Sequence, residues 1–237
     1  MFQSNKEYIN FLIQSGVHTF LKETPNKLLE NQQNQSKSKE IKELKKLDEI
    51  IEIRDLGPLI SNHTSTLKNY AKRLVLYDGN VNSNLMIIGE APGQEEDEQG
   101  IPFVGKAGKL LNKMLSAINL NRKDIYITNV LPWRPPQNRT PTDQEILEFL
   151  PFLQRQIEIV KPQILYVLGT TAAKAILSTP LSLGKLRGKW YQYKTLKLET
   201  PIDVLVSYHP AFLLRSPNYK KEAWSDLQML QKKLSEN

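Results

Sequence analysis

Apolar and polar positions divide the chain into two unlike parts. In residues 1–30, Tyr8, Phe11 and Leu12 fall at helical spacing and Pro25 marks a break, so one or two helices are expected there. The stretch 30–40, ENQQNQSKSKE, is polar and of low complexity and reads as a flexible linker. A charged amphipathic helix is expected over 41–53, and a compact domain from residue 56 to 237, leaving 1–55 as a helical extension. Within the domain, short apolar runs at 85–88 (LMII), 125–128 (IYIT), 164–168 (ILYVL) and 204–207 (VLVS) have the form of buried strands. Helical periodicity separates them at 108–118, 142–160 and 171–177. Strands alternating with helices imply right-handed crossovers and a parallel sheet covered on both faces. The predicted fold is α/β, a three-layer α/β/α sandwich on a central four-stranded parallel sheet. Such sheets gather ligands at the carboxyl ends of their strands. Here those ends carry GEAPG, NVLPWRPP, GTTAA and YHPAF.

Composition narrows the chemistry. The 237 residues contain no cysteine, which excludes disulfides, thiolate zinc sites and cysteine-held iron–sulfur clusters. The three histidines, His18, His63 and His209, lie far apart in sequence, so no metal is expected. No apolar run approaches the roughly 20 residues that cross a membrane, and the first residues lack the pattern of a secretory leader; a cytoplasmic monomer is the simplest expectation. The net charge of +7 is unevenly placed. Residues 181–221 carry eight basic side chains against Glu199 and Asp203, whereas 85–100 carry Glu90, Glu95, Glu96, Asp97 and Glu98 and no base. A basic surface beside an acidic loop suits a polyanion-binding enzyme with carboxylates at its reactive centre, and equally fits a solvated surface of mixed charge.

Three motifs carry candidate chemistry. Gly89-Glu90-Ala91-Pro92-Gly93 follows a predicted strand; glycine and proline there allow a tight turn with exposed N–H groups, and a plain surface turn is the alternative. Downstream, Phe103 offers a flat face for a base, and the neighbouring carboxylates can orient water or meet developing positive charge. The run GIPFVGK resembles a phosphate-binding loop, but Ala107 stands where that loop needs Ser or Thr. The second motif, 128–141, places Asn129 at a strand end, where its amide can donate to one carbonyl and accept from a ring N–H; that matches uracil and mismatches cytosine. Arg134 and Arg139 are candidates for phosphate contact, and Asn138 fits a capped turn nearly as well as a role. The third, 207–215, holds His209 before Pro210, able to donate to a departing oxygen or simply to cap a helix. Leu213 and Leu214 beside Arg215 form a candidate wedge and phosphate contact. LRGKW, with Arg187, reads as a basic turn or an ordinary hairpin.

In this order, GEAPG–EED–GIPFVGKAGKLL, ITNVLPWRPPQNRTP, VLGTTAAKAIL, LRGKW and YHPAFLLR closely resemble the family 4 uracil-DNA glycosylases over roughly 57–235. The resemblance implies a base-excision repair enzyme that flips uracil out of DNA and hydrolyses its N-glycosidic bond. It implies a base pocket from Ala91, Gly93, Glu96, Phe103 and Asn129, with Glu96 near the uracil C5. It also implies a catalytic group of Glu90, His209 and Asn138, and DNA contacts from Arg139, Arg187, Leu213, Leu214 and Arg215. Members of that family typically hold a [4Fe–4S] cluster on four cysteines. In this chain Trp133 stands at one ligand position, Phe149 falls near another, and Ser65 lies in the N-terminal ligand region. No cofactor is therefore expected, and hydrophobic packing is expected in the cluster's place. The competing expectation is a catalytically silent DNA- or partner-binding module on the same scaffold.

Overall fold

A computed structural model describes residues 46–236; the helices and linker expected over 1–40 lie outside the described residues. The compact unit is Leu47–Asn237. Of the helix expected over 41–53, residues 46–49 are helical, and the chain then breaks before a separate helix, α1 (Ile53–Asn62). α1 buries Ile53, Leu56 and Ile60 on one face, a helix that Gly57 and Pro58 conceal in the sequence pattern.

The remaining elements are β1 (Tyr77–Gly79), β2 (Leu85–Gly89), α2 (Gln94–Gln99), α3 (Lys106–Ser116), β3 (Tyr126–Asn129), α4 (Asp143–Val160), β4 (Ile164–Leu168) and α5 (Thr170–Leu177). They are followed by α6 (Leu183–Leu186), β5 (Trp190–Tyr193), β6 (Ile202–Ser207), α7 (Pro210–Arg215) and α8 (Lys220–Ser235). Four central strands run parallel in the order β3-β2-β4-β6, as the apolar runs predict. Among the described residues the sheet nevertheless has six strands, not four: β1 pairs antiparallel with β3, and β5 with β6. Both added strands are short edges, half-exposed along most of their length, so neither shows an apolar run. The LRGKW segment spans the last residue of α6, Gly188 at φ 65° and the first residue of β5.

Alternation along the buried strands sends neighbouring side chains into two cores, one on each face. On β2 and β4, Met86, Ile88, Leu165 and Val167 join α1 and α4 in the first core. Ile87, Tyr166 and Leu168 join α3 and α8 in the second. This is the three-layer arrangement.

Helix boundaries have local causes. At the start of α4 the Thr142 hydroxyl accepts from the Glu145 N–H (3.2 Å), and the Glu145 carboxylate accepts from the Thr142 N–H (2.8 Å). The helix stops where Lys161 turns left-handed before Pro162. Hydrogen bonding continues past the strands: Val130 and Leu131 N–H donate to the Gly89 and Glu90 carbonyls (3.0 and 3.1 Å), and Gly169 N–H donates to Ser207 (2.9 Å). These bonds bring the loops after β2 and β3, and those after β4 and β6, to one edge.

Candidate active site

At that edge lies a cleft of about 1020 Å³. Ten of the thirteen site residues expected from the sequence line it: Glu90, Ala91, Gly93, Glu96, Phe103, Asn129, Asn138, Arg139, His209 and Arg215. The other three, Arg187, Leu213 and Leu214, do not.

The floor is set by Gly89, the last residue of β2. A methyl group on its Cα would fall 2.4 Å from the Asn129 Oδ1 and 2.5 Å from the Phe103 ring, so only glycine lets the amide and the ring lie across that strand end. Phe103 adopts a left-handed φ of 54°, a conformation costing a non-glycine residue about 1–3 kcal/mol unless its surroundings enforce it. Arg122 is the enforcing group. Its guanidinium donates to the Phe103 carbonyl (2.8 Å) and to the Pro102 carbonyl, and its Nε is held by Asp78 (2.6 Å).

Glu96 is expected to face the base. Its carboxylate reaches the cleft, yet it accepts three backbone N–H groups: Gly93 at 3.1 Å, and Val104 and Gly105 at 2.8 Å each. It therefore ties the GEAPG loop to the loop of Phe103. The same bonds occupy the donors a phosphate would need at the start of α3, which closes the phosphate-loop reading.

His209 caps α7, with Pro210 at the first helical position. Its Nδ1 accepts from the Ala211 N–H at 3.2 Å. Burial, with the positive charge of Arg215 next in size, pushes its imidazole down to about 4. At neutral pH the ring is uncharged, and because Nδ1 is an acceptor its proton sits on Nε2. The ring stacks on Phe103 with centroids 5.5 Å apart and planes 28° apart. An aromatic face, an amide and a neutral N–H donor thus share one cavity wall.

Glu90 accepts a hydrogen bond at Oε2 from the Thr171 hydroxyl, which leaves its other oxygen for the cleft. Asn138, at φ 55°, accepts at Oδ1 from Arg134 Nε (2.7 Å). Arginine only donates, so the amide orientation is fixed and Asn138 retains its NH₂ as a donor. Thr171 and Arg122 are missing from the residues expected from the sequence; nothing local marks them, because each acts on a partner set by the fold. Arg134, a candidate for phosphate contact, instead bonds Asn138.

Three expected DNA contacts need revision. Arg187 donates to buried Asp226 and to Glu222 (3.0 Å), and lies over the Tyr208 ring at 5.4 Å, so its guanidinium is committed inside the protein. Leu213 is buried in the second core at 1% exposure, whereas Leu214 is 44% exposed; helical geometry turns adjacent residues in different directions, so only Leu214 is available as a wedge. Arg139 lines the cleft but forms a two-bond pair with Glu145 (2.8 and 2.5 Å), which holds the Glu145 carboxyl down at about 2.

The profile of the Uracil DNA glycosylase superfamily matches residues 76–228. The chain belongs to this superfamily. It is 41% identical to the Type-4 uracil-DNA glycosylase of Pyrobaculum aerophilum over 182 residues, covering 75% of this chain and 92% of that protein. It is 40% identical to the Type-4 uracil-DNA glycosylase of Archaeoglobus fulgidus over 156 residues, covering 64% and 77%. The Type-5 uracil-DNA glycosylase of Pyrobaculum aerophilum is more distant, at 27% over 177 residues.

An iron–sulfur cluster does not fit the residues of this superfamily member. Trp133 (5% exposed) and Phe149 (0%) lie in one hydrophobic core with Leu56, Ile60 and Leu67, and the sequence offers no thiolate. His63 meets Phe149 and Phe152 edge-on at 5.7 and 5.3 Å and bonds Glu148 at 3.0 Å, while Ser65 accepts from the Leu67 N–H. Among the described residues no group of three His, Asp or Glu side chains is placed to hold a metal.

Proposed function

We propose that this protein is a uracil-DNA glycosylase of base-excision repair, taking uracil flipped out of DNA and hydrolysing its bond to deoxyribose. The observation that carries the reading is the convergence of Phe103 and Asn129 over Gly89, with the neutral His209 ring stacked on Phe103. Phe103 stacks on the extruded base. The Asn129 amide donates to the uracil O4 and accepts from N3–H, a pairing that cytosine reverses. His209 Nε2–H donates to O2.

The uncatalysed reaction is slow because uracil leaves as an anion and C1′ becomes oxocarbenium-like. As the C1′–N1 bond breaks, its electron pair passes into the uracil ring and onto O2, where His209 and the backbone N–H groups of the GEAPG loop stabilise it. A neutral donor suits this task, since it holds the anion without protonating it. On the sugar side, the free oxygen of Glu90 faces the developing cation and accepts a hydrogen bond from the attacking water. The Asn138 NH₂ donates to that water's oxygen. The water oxygen bonds C1′, its proton passes to Glu90 and on to solvent, and the uracil anion is protonated by solvent. Leu214 fills the gap left by the base, and Arg215 meets the adjacent phosphate. No step requires a metal or redox group.

The test is incubation with a uracil-containing oligonucleotide without metal or nucleotide, followed by alkali and by chromatography for free uracil. Cleavage at uracil, and none at cytosine or thymine in matched strands, is the expected outcome. No release from a folded preparation overturns the proposal in favour of a silent binding module.

A further inference from the structure

We propose that the cleft contains a second nucleotide subsite, beside the base pocket, that holds the nucleotide adjacent to the uracil in single-stranded DNA. Its parts are Phe212, Tyr219, Arg215 and Lys174. The placement of this subsite rests on the uracil reading above.

The cleft volume of about 1020 Å³ stands at the upper end of the roughly 300–1,000 Å³ of small-ligand pockets, more than one pyrimidine needs. Past His209 its wall continues along α7 and the short helical turn Pro217–Tyr219, and Lys174 lines it from α5. That wall is aromatic. Phe212 stacks on Tyr208 (5.2 Å, 19°), and Tyr219 closes on both rings at 5.1 and 5.2 Å. The Tyr208 hydroxyl is anchored to Glu222 (2.8 Å), so the three rings form a supported block. Its outermost member, Tyr219, is 40% exposed and lines the cleft.

The cations that line the cleft or were expected at DNA separate into two sets. Arg134, Arg139 and Arg187 are bonded to Asn138, Glu145 and Asp226. Lys174 and Arg215, both exposed on the cleft wall, meet no carboxylate among the described residues. Two unneutralised cations in the same cleft as an exposed aromatic face match the two halves of a nucleotide: phosphate and base. Stacking needs a free π-face, which a single strand offers and a duplex withholds between its base pairs.

Fluorescence anisotropy with three uracil-free probes of equal length tests this: a single strand, its duplex, and a single strand with abasic spacers in place of its bases. Tyr219→Ala and Tyr219→Leu should each weaken single-strand binding about tenfold, the stacking contribution of one base. Tyr219→Phe should stay within twofold of wild type. The duplex and the spacer strand should lose less than twofold with any of these variants. Lys174→Ala should weaken all three probes alike and lower the salt slope by about one. Unchanged single-strand binding by Tyr219→Ala and Tyr219→Leu overturns the subsite, as does an equal loss on the spacer strand. The probes contain no uracil, so the two proposals fail separately. Tyr219-dependent binding without uracil release sinks only the glycosylase reading, and uracil release without that dependence sinks only the subsite.

Discussion

The loop after β3 has two faces that obey different rules. Asn129 and Asn138 line the cleft, while Trp133, four residues after Asn129, joins the core with Phe149. Around the cleft three polar groups are held by directional bonds: Asn138 by Arg134, Glu90 by Thr171, His209 by the Ala211 N–H. On the core face the requirement is volume, and two bulky apolar side chains fill the positions where the resemblance places cysteine ligands. The contrast teaches that the scaffold corner and the chemistry are separable even within one loop. A corner that needs only to be filled tolerates a change of chemical type, and a cleft that needs directed donors does not.

The strongest way to break that comparison is Phe149→Ala. Removing a fully buried aromatic should cost about 3–5 kcal/mol of stability, read by denaturant unfolding, while the folded fraction keeps its kcat. A large loss of kcat at unchanged stability would mean the corner and the cleft are coupled. Next come His209→Ala and Asn129→Ala, each expected to lower uracil release about 100–1,000-fold with a melting temperature within a few degrees of wild type. Activity within a few fold of wild type in both refutes their roles.

A finer probe is Thr171→Val, which removes the hydroxyl bonded to Glu90 and should lower kcat about tenfold, a loss of roughly one hydrogen bond to a charged group. Thr171→Ser should recover most of it, because the effect depends on the hydroxyl and not on side-chain volume. The smallest effect concerns acid stability. His209 holds about 4 when folded against an ordinary 6.5, so below pH 6.5 the unfolded chain binds the extra proton. The stability contribution of the neutral ring is thus complete above pH 6.5 and lost as pH falls towards 4. Glu145, held at about 2, loses its contribution only below about 4.5. Unfolding measured at pH 7 and pH 4.5 should therefore show a smaller loss in His209→Asn than in wild type. Equal losses refute the assignment.

The four parallel strands are legible because each is a continuous apolar run, the mark of a strand buried on both faces. Edge strands β1 and β5 are not, since YDG and WYQY are short and half-exposed. Asn129, Phe103 and His209 are visible as candidates because each sits in a motif near a strand end. Thr171 is hidden because its partner Glu90 lies 81 residues away. Arg187 and Leu213 mislead for one reason: charge and adjacency in sequence carry no direction.

By itself the sequence determines the α/β class, the strand ends at which chemistry gathers and the absence of any thiolate. These follow from periodicity and composition, which are local. Only the tertiary structure decides which side chain faces the cleft and which atom of His209 carries the proton. It also decides which arginines are already paired. Those depend on partners brought together by chain crossovers, and a hydrogen bond or ion pair is a relation between two positions that neither one encodes alone.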